Sequence, residues 1–289
     1  EETTASLVNS KYSEAYSLFV AGKYSESQDL LKNHNIWLEE YINSYFKNVD
    51  HFSYSNIATK PYEFLMRNIV KKPFVSTAAD YGDRVHKGLQ NIMKGKTKLE
   101  DYSEDEQKSI KNGLDAVDEL KKDYPGLTPL VNADGKLIGV ESYEKVSISK
   151  ITTYNEKDPF FFTGYIDLIF QHDDGLIIVD WKTDKNSTTS GAKHKRQLQV
   201  YKKMHAEFGS VSEDKITACV IFVSLRGGIN TGRYEKKIDM VTRDTYSTFN
   251  DHLQKVLEWK KDPAIFIKEL VEQSSQDELH DIIKEKLKK

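Results

Sequence analysis

The chain has 289 residues, 38% of them hydrophobic and 30% charged, with a formal net charge of −3. That length buries one large core, or one core with a small appendage, and the composition is soluble and globular. No apolar run approaches the ~18–20 residues that a bilayer span needs, and the near-neutral charge gives no global sign of a nucleic-acid partner.

The first residues, Glu1-Glu2-Thr3-Thr4, have neither a basic flank nor an apolar segment, so they do not read as a secretory signal. Without an initiating Met, the chain reads as a processed product or a fragment. Residues 12–46 are expected to be helical, because Leu18, Phe19, Leu30, Leu31, Trp37, Leu38, Ile42 and Phe46 recur at helical intervals around a break at Gly22-Lys23. A second helix is predicted over 80–93, with Val85, Leu89 and Ile92 on one face. A third runs from Ser103 to Lys122, opened by the capping box Ser103…Glu106 and stopped by Tyr124-Pro125-Gly126. Strands are predicted at Leu137–Ile151, Phe160–Phe170 and Leu176–Trp181, the last two joined by a hairpin turn at Asp173-Asp174-Gly175. A helix at Lys193–Phe208, strands at Ile216–Ser224 and around Arg233–Ile238, and helices at Arg243–Lys261 and Gln276–Lys288 complete the pattern. This order describes an α/β fold, a mixed sheet sandwiched by helices. The single cysteine, Cys219, lies in the apolar stretch Ala218-Cys219-Val220-Ile221. It has no disulfide or zinc partner, so it is expected to be buried and inert, in a reducing, cytoplasmic setting.

The chemistry concentrates in the hairpin. Gly164-Tyr165-Ile166-Asp167 leads one strand and Ile178-Val179-Asp180-Trp181-Lys182 ends the next. Charged groups at the ends of apolar strands must be paired or bound to something. A turn with an even number of residues pairs odd positions with even ones, so Asp167 falls opposite Asp180 or Lys182. Asp180 and Lys182 share a face. Two carboxylates that close repel unless a divalent cation lies between them, and carboxylates with water suit magnesium or manganese. A lysine beside such an ion can orient the attacking water and stabilise charge on phosphorus, which suits phosphodiester hydrolysis. The triplet acid-x-Lys alone is uninformative: it recurs, for example, at Glu106/Lys108 and Glu213/Lys215. A simple ion bridge between Asp180 and Lys182 is the rival reading of those two residues.

Taken with what flanks them, these residues closely resemble motifs II and III of RecB-like nucleases, a branch of the PD-(D/E)xK superfamily. The resemblance extends to Gln197-Leu198-Gln199-Val200-Tyr201, to Gly82-Asp83-Arg84-Val85-His86, and to the serine-rich opening segment Phe52-Ser53-Tyr54-Ser55-Asn56, all in the family's order. It implies a restriction-endonuclease-like fold over residues 51–289, with residues 1–50 as a helical appendage or linker. It also implies Asp167, Asp180 and Lys182 as the catalytic set. The metal, Mg2+ or Mn2+, would be held by His86, Asp167, Asp180 and the backbone carbonyl of Trp181.

Gln197 and Tyr201, one helical turn apart, are implied to contact DNA or brace the lysine. Helix packing is the alternative for both, and for His86 it is a polar place beside the Val85/Leu89 stripe. Glu141, with Glu144 as the alternative, fills the acid expected on the preceding strand. Ser53 and Tyr54 join the DNA-contacting set, Tyr54, Tyr201 or Trp181 could stack on bases, and Trp181 could equally be core. Lysines crowd 182–203, so Lys185 and Arg196 are candidates to follow phosphates; a solvated helix face is the bland alternative.

The family's proline is Ile166 here. The cysteine that iron–sulfur members carry before Pro61 is Lys60, and the later cysteines are missing, so no iron–sulfur cluster is expected. No P-loop occurs, so any unwinding motor would be a helicase partner or an absent part of a helicase–nuclease assembly. The expected activity is hydrolysis of DNA at single-stranded ends or flaps, by an exonuclease working in repair, recombination or replication, with no membrane association. The rivals are a catalytically silent nucleic-acid-binding module and a non-nuclease interaction domain working through residues 1–50.

Overall fold

The computed structural model describes residues 13–33, 39–71, 76–155, 159–227, 234–275, 277–279 and 281–282. Trp37, Leu38, Arg233, residues 283–288 and the side chain of Leu31, all placed in elements by the sequence pattern, lie outside the described set. The chain divides into two compact units, Phe74–Phe249 and Glu1–Pro73 together with Asn250–Lys289.

In the smaller unit, residues 13–20 are helical, and Gly22, at φ 75°, makes the expected break. Helices α1 (Tyr24–Asn33) and α2 (Glu39–Asn48) lead to the short strand β1 (His51–Ser53). Helix α3 (Pro61–Phe64) opens on Pro61, where a missing N–H costs nothing, and passes into a π-helical turn over Leu65–Val70. Lys71 ends that turn in the left-handed region, at φ 55° and ψ 49°.

The larger unit starts with α4 (Thr77–Met93), three residues earlier than the apolar stripe predicts, because Ser76 caps it by accepting the N–H of Ala78 at 3.2 Å. Helix α5 (Glu104–Asp123) carries the predicted capping box: Ser103 N–H donates to Glu106 Oε2 at 3.0 Å. This unit then contributes six strands to a seven-stranded mixed sheet: β2 (Thr128–Pro129), β3 (Val140–Ser147), β4 (Phe161–His172), β5 (Gly175–Lys182), β6 (Ile216–Arg226) and β7 (Tyr234–Met240). Strand β3 is shorter than its alternating pattern suggests, since Leu137 instead makes an isolated bridge to Val131. Strand β4 runs antiparallel to β2, β3 and β5, β5 runs parallel to β6, and β6 antiparallel to β7. The parallel step needs a crossover, and α6 (Ser187–Phe208) supplies it. It begins six residues before the predicted start. Its first turn is Ser-Thr-Thr-Ser, which shows no apolar period, and Asn186 caps it by accepting from Thr188 N–H at 2.8 Å.

The core of this unit joins Val85 and Leu89 of α4 and Ile110, Val117 and Leu120 of α5 to Leu168, Phe170, Ile177, Val179, Trp181, Cys219, Ile221 and Val223 of the sheet. Strand alternation therefore sends Ile178, Asp180 and Lys182 to the other side. The β4–β5 register runs from Leu168 opposite Val179 to His172 opposite Gly175, closed by the two-residue turn Asp173-Asp174. Odd faces even, and the next step along that register brings Asp167 beside Asp180.

After the larger unit come α7 (Tyr246–Lys261) and α8 (Pro263–Gln273). Helix α8 lies between the two closing helices that the sequence pattern predicts and is not itself among the predicted elements, although Asp262 caps it and Pro263 fills its first position. In the smaller unit Phe46, Phe64, Trp259 and Phe266 form an aromatic core, with ring centroids of 5.0 Å for Trp259–Phe266 and 5.7 Å for the stacked Phe46–Phe64. No helix among the described residues is long and apolar enough to cross a membrane.

Candidate active site

Where the β4–β5 ladder ends, side chains take over the hydrogen bonding. Asp167 Oδ2 accepts the backbone N–H of Trp181 at 3.0 Å, which ties β4 to the end of β5. The same oxygen lies 3.5 Å from His86 Nδ1, presented by α4. Asp180 is only 4% exposed, an unusual place for a carboxylate. Lys182 donates to its Oδ1 at 3.0 Å and stands 2.8 Å from its Oδ2. The ammonium lies off the hydrogen-bonding direction of Oδ2, which is buried and makes no hydrogen bond among the described residues.

The electrostatics follow. Burial, and after it the charge of Asp180, pushes the Asp167 carboxyl up to about 6, against the pull of His86, Lys182 and the Trp181 N–H. Burial alone would lower Lys182; Asp180 and Asp167 outweigh it and hold the ammonium above its ordinary range, so it stays charged at neutral pH. Two carboxylates against one firmly protonated lysine leave a surplus negative charge, with one acceptor oxygen unused.

That donor set fits a divalent ion of the Mg2+ or Mn2+ kind, which takes one or two carboxylates and fills its shell with water and substrate oxygens. Among the described residues no three His, Cys, Asp or Glu side chains form a metal cage by themselves. A thiolate or multi-histidine centre is not what these residues offer.

The other residues singled out from sequence are placed as follows. The side chain of Trp181 is 1% exposed and packs in the core. Gln197 donates to Tyr201 Oη at 2.9 Å, and Tyr201 is 7% exposed against Gly164, where an added Cβ would come within 2.9 Å of its ring and of Met204 Cε. The glycine that opens motif II thus lets α6 approach β4. Glu141 adopts φ 56°, between the register pairs Val140–Leu168 and Ser142–Ile166, and pairs with Lys94 at 3.2 Å. Glu144 is fully buried and meets His205 Nδ1 at 2.5 Å. The ammonium of Lys185 lies 3.7 Å over the Tyr234 ring and 4.9 Å from that of Tyr81, with no hydrogen-bond partner among the described residues. Arg196 is half-buried, with Nε shielded from solvent. Lys195 pairs with Asp239 at 2.7 Å, and Lys203 lies over Tyr246, so the lysine-rich run is not an open strip. Ser53 and Tyr54 belong to the smaller unit. Ser53 donates through its N–H and hydroxyl to Asn56 Oδ1 at 2.7 and 2.8 Å.

One acid near the site is not marked by the sequence motifs. Asp184, two residues beyond Lys182, accepts from Ser190 at 2.6 Å and lies 3.3 Å from His194 Nε2. Its signal in the sequence is a carboxylate just past the motif, with serine and histidine at the start of the following helix.

A family model described as the PD-(D/E)XK nuclease superfamily matches residues 51–287 of this chain. No curated protein matches it. A solved structure described as "Crystal structure of SSO0001" is similar at 13% identity, covering 76% of this chain and 83% of that one, with a TM-score of 0.38.

Proposed function

The chain belongs to the PD-(D/E)XK nuclease superfamily, and from that premise we propose that it is a RecB-like, metal-dependent deoxyribonuclease with Asp167, Asp180 and Lys182 as its catalytic residues. The observation that carries this reading is the buried Asp180 Oδ2, left without a hydrogen bond beside a second carboxylate that already carries Asp180's repulsion. Asp167 and Asp180 would hold Mg2+ or Mn2+, with His86 and the carbonyl of Trp181 completing the protein's share. When bound, such an ion polarises a phosphoryl oxygen and makes water a better nucleophile near neutral pH.

Lys182 works differently. Its ammonium is anchored on Asp180 and kept charged, so it is set to bind a non-bridging phosphate oxygen and to stabilise the negative charge that grows there. Asp167, fixed by the Trp181 N–H, keeps its second oxygen for the metal. Gln197 and Tyr201, linked to each other and packed on Gly164, would brace the strand that carries Asp167. Glu141, Ser53, Tyr54, Lys185 and Arg196 are the remaining DNA-binding or supporting residues of the proposal.

The substrate we favour is DNA at single-stranded ends or flaps, in repair, recombination or replication, with unwinding supplied by a helicase partner. The single buried thiol fits a cytoplasmic setting. Linear and circular single-stranded DNA of one sequence, incubated with Mn2+, test the reading. Loss of the linear form alone is expected, abolished by EDTA. Equal loss of both forms would turn the assignment to an endonuclease, and no loss of either would remove the activity.

A further inference from the structure

The smaller unit holds a cavity of about 500 Å3 whose walls include Tyr45, Asn48, His51, Arg67, Asn68 and Lys71. Most of its lining residues carry a polar side chain, although half of the surface they present is apolar. Its lining acid, Asp50, meets His51 Nδ1 at 2.6 Å, and two cations, Arg67 and Lys71, stand against that one negative charge. The floor is rigid. Asn56 donates to Asn68 Oδ1 and Asn68 donates back to the Asn56 carbonyl, both at 2.9 Å, while Arg67 donates to the Ser55 carbonyl at 2.9 Å. The serine-rich segment 53–56 is thereby bolted to the helical turn that follows it.

Two backbone irregularities coincide at this cavity. Residues Leu65–Val70 form a π-helical turn, which carries Arg67 and Asn68, and Lys71 closes it in a left-handed conformation that glycine would hold at less cost. Strain of this kind persists where the side chain it presents is needed. A lysine kept in a glycine position, beside an arginine already oriented by a carbonyl, faces a cavity whose lining cations outnumber its lining acid. Phosphate oxygens are the ligand chemistry that matches.

We infer that this cavity binds the phosphodiester backbone of the substrate strand, with Arg67 and Lys71 as the contacting cations. The inference rests on the nuclease reading for its substrate, while the site itself is separate from the residues that cleave. It would act in holding the strand and not in the chemical step.

The test uses the full chain and a fluorescein-labelled single-stranded 20-mer. Binding is measured with Ca2+ over a salt series, and cleavage of the same strand with Mn2+. Arg67→Ala and Lys71→Gly are each expected to weaken binding about tenfold. Each should also flatten the slope of log affinity against log salt by about 0.7, the share of one phosphate that is no longer neutralised. KM should rise with little change in kcat. Lys71→Gly relieves the left-handed strain, so its melting temperature should not fall; weaker binding in that variant cannot be laid to unfolding. Unchanged affinity and salt slope in both variants, or no binding by the wild type, overturns the inference. Cleavage by the wild type with unaltered binding in the variants removes the cavity and spares the nuclease reading. Weakened binding in the variants with no cleavage by the wild type does the reverse.

Discussion

Asp167 and Asp184 flank the same strand end, and their carboxyls are driven in opposite directions. Asp167 is pushed up to about 6 by burial and by the charge of Asp180. Asp184 is held down at about 2, chiefly by the His194 ring, with Ser190 and the Lys182 charge adding to it and burial opposing. The difference lies in the partners. Asp184 has a hydroxyl and an imidazole to itself, and needs nothing further. Asp167 shares one lysine with a second buried carboxylate, and together they carry more negative charge than the protein around them neutralises. A satisfied acid reads as structure, and a crowded pair reads as a place for a cation.

The sharpest way to break this contrast is by activity. Asp180→Asn and Lys182→Ala should each lower kcat for DNA cleavage on the order of 10^3-fold, while Asp184→Asn should stay within about tenfold of wild type. Comparable losses in all three, measured under single-turnover conditions, would erase the distinction.

Stability gives the next largest effect, with opposite signs. The folded-state value for Asp167 lies above the unfolded one, so its charge costs stability at pH 7, and the cost fades as pH falls from about 6 toward 4. In chelator-treated protein Asp167→Asn should therefore raise stability at pH 7, with the gain shrinking toward pH 4. Asp184 lies below its unfolded value, so it contributes stability above about pH 4 that is lost as pH falls toward 2. Asp184→Asn should lower stability at pH 7 by about 1–2 kcal/mol, after allowance for its partial exposure. Urea unfolding at pH 7 and pH 4.5 checks both signs.

A further stability effect, of similar size, probes what holds the two acids on one scaffold. Gly164→Ala would press a methyl onto Tyr201 and Met204 of α6, the helix that also carries Ser190 and His194. A destabilisation of about 1–3 kcal/mol is expected, with cleavage retained at temperatures well below melting. Loss of cleavage without loss of stability would mean that α6 acts in the chemistry and not only in packing.

Local sequence was enough for the parts of this fold that local rules govern. The two-residue turn at Asp173-Asp174 set an odd-to-even register, and that register brings Asp167 beside Asp180. Ser103 and Glu106 announced the start of α5. What the sequence hid was set by tertiary contact. Lys185 stands in a run of lysines, and nothing in that run indicates that its ammonium lies between two tyrosine rings from α4 and β7. Glu144 was an alternative to Glu141, but its partner, His205, is 61 residues away and is met only through the packing of α6 on β3. Asp184 carries no motif of its own because its meaning depends on Ser190 and His194, which join it only once α6 begins at Ser187.

A manganese titration of the full chain bears most directly on the paired carboxylates. Free Mn2+, followed by electron paramagnetic resonance, should fall as the wild type takes up the ion. Uptake should weaken more than about tenfold in Asp180→Asn and stay close to wild type in Asp184→Asn. No uptake by the wild type, or uptake that survives in Asp180→Asn and disappears in Asp184→Asn, would contradict the account.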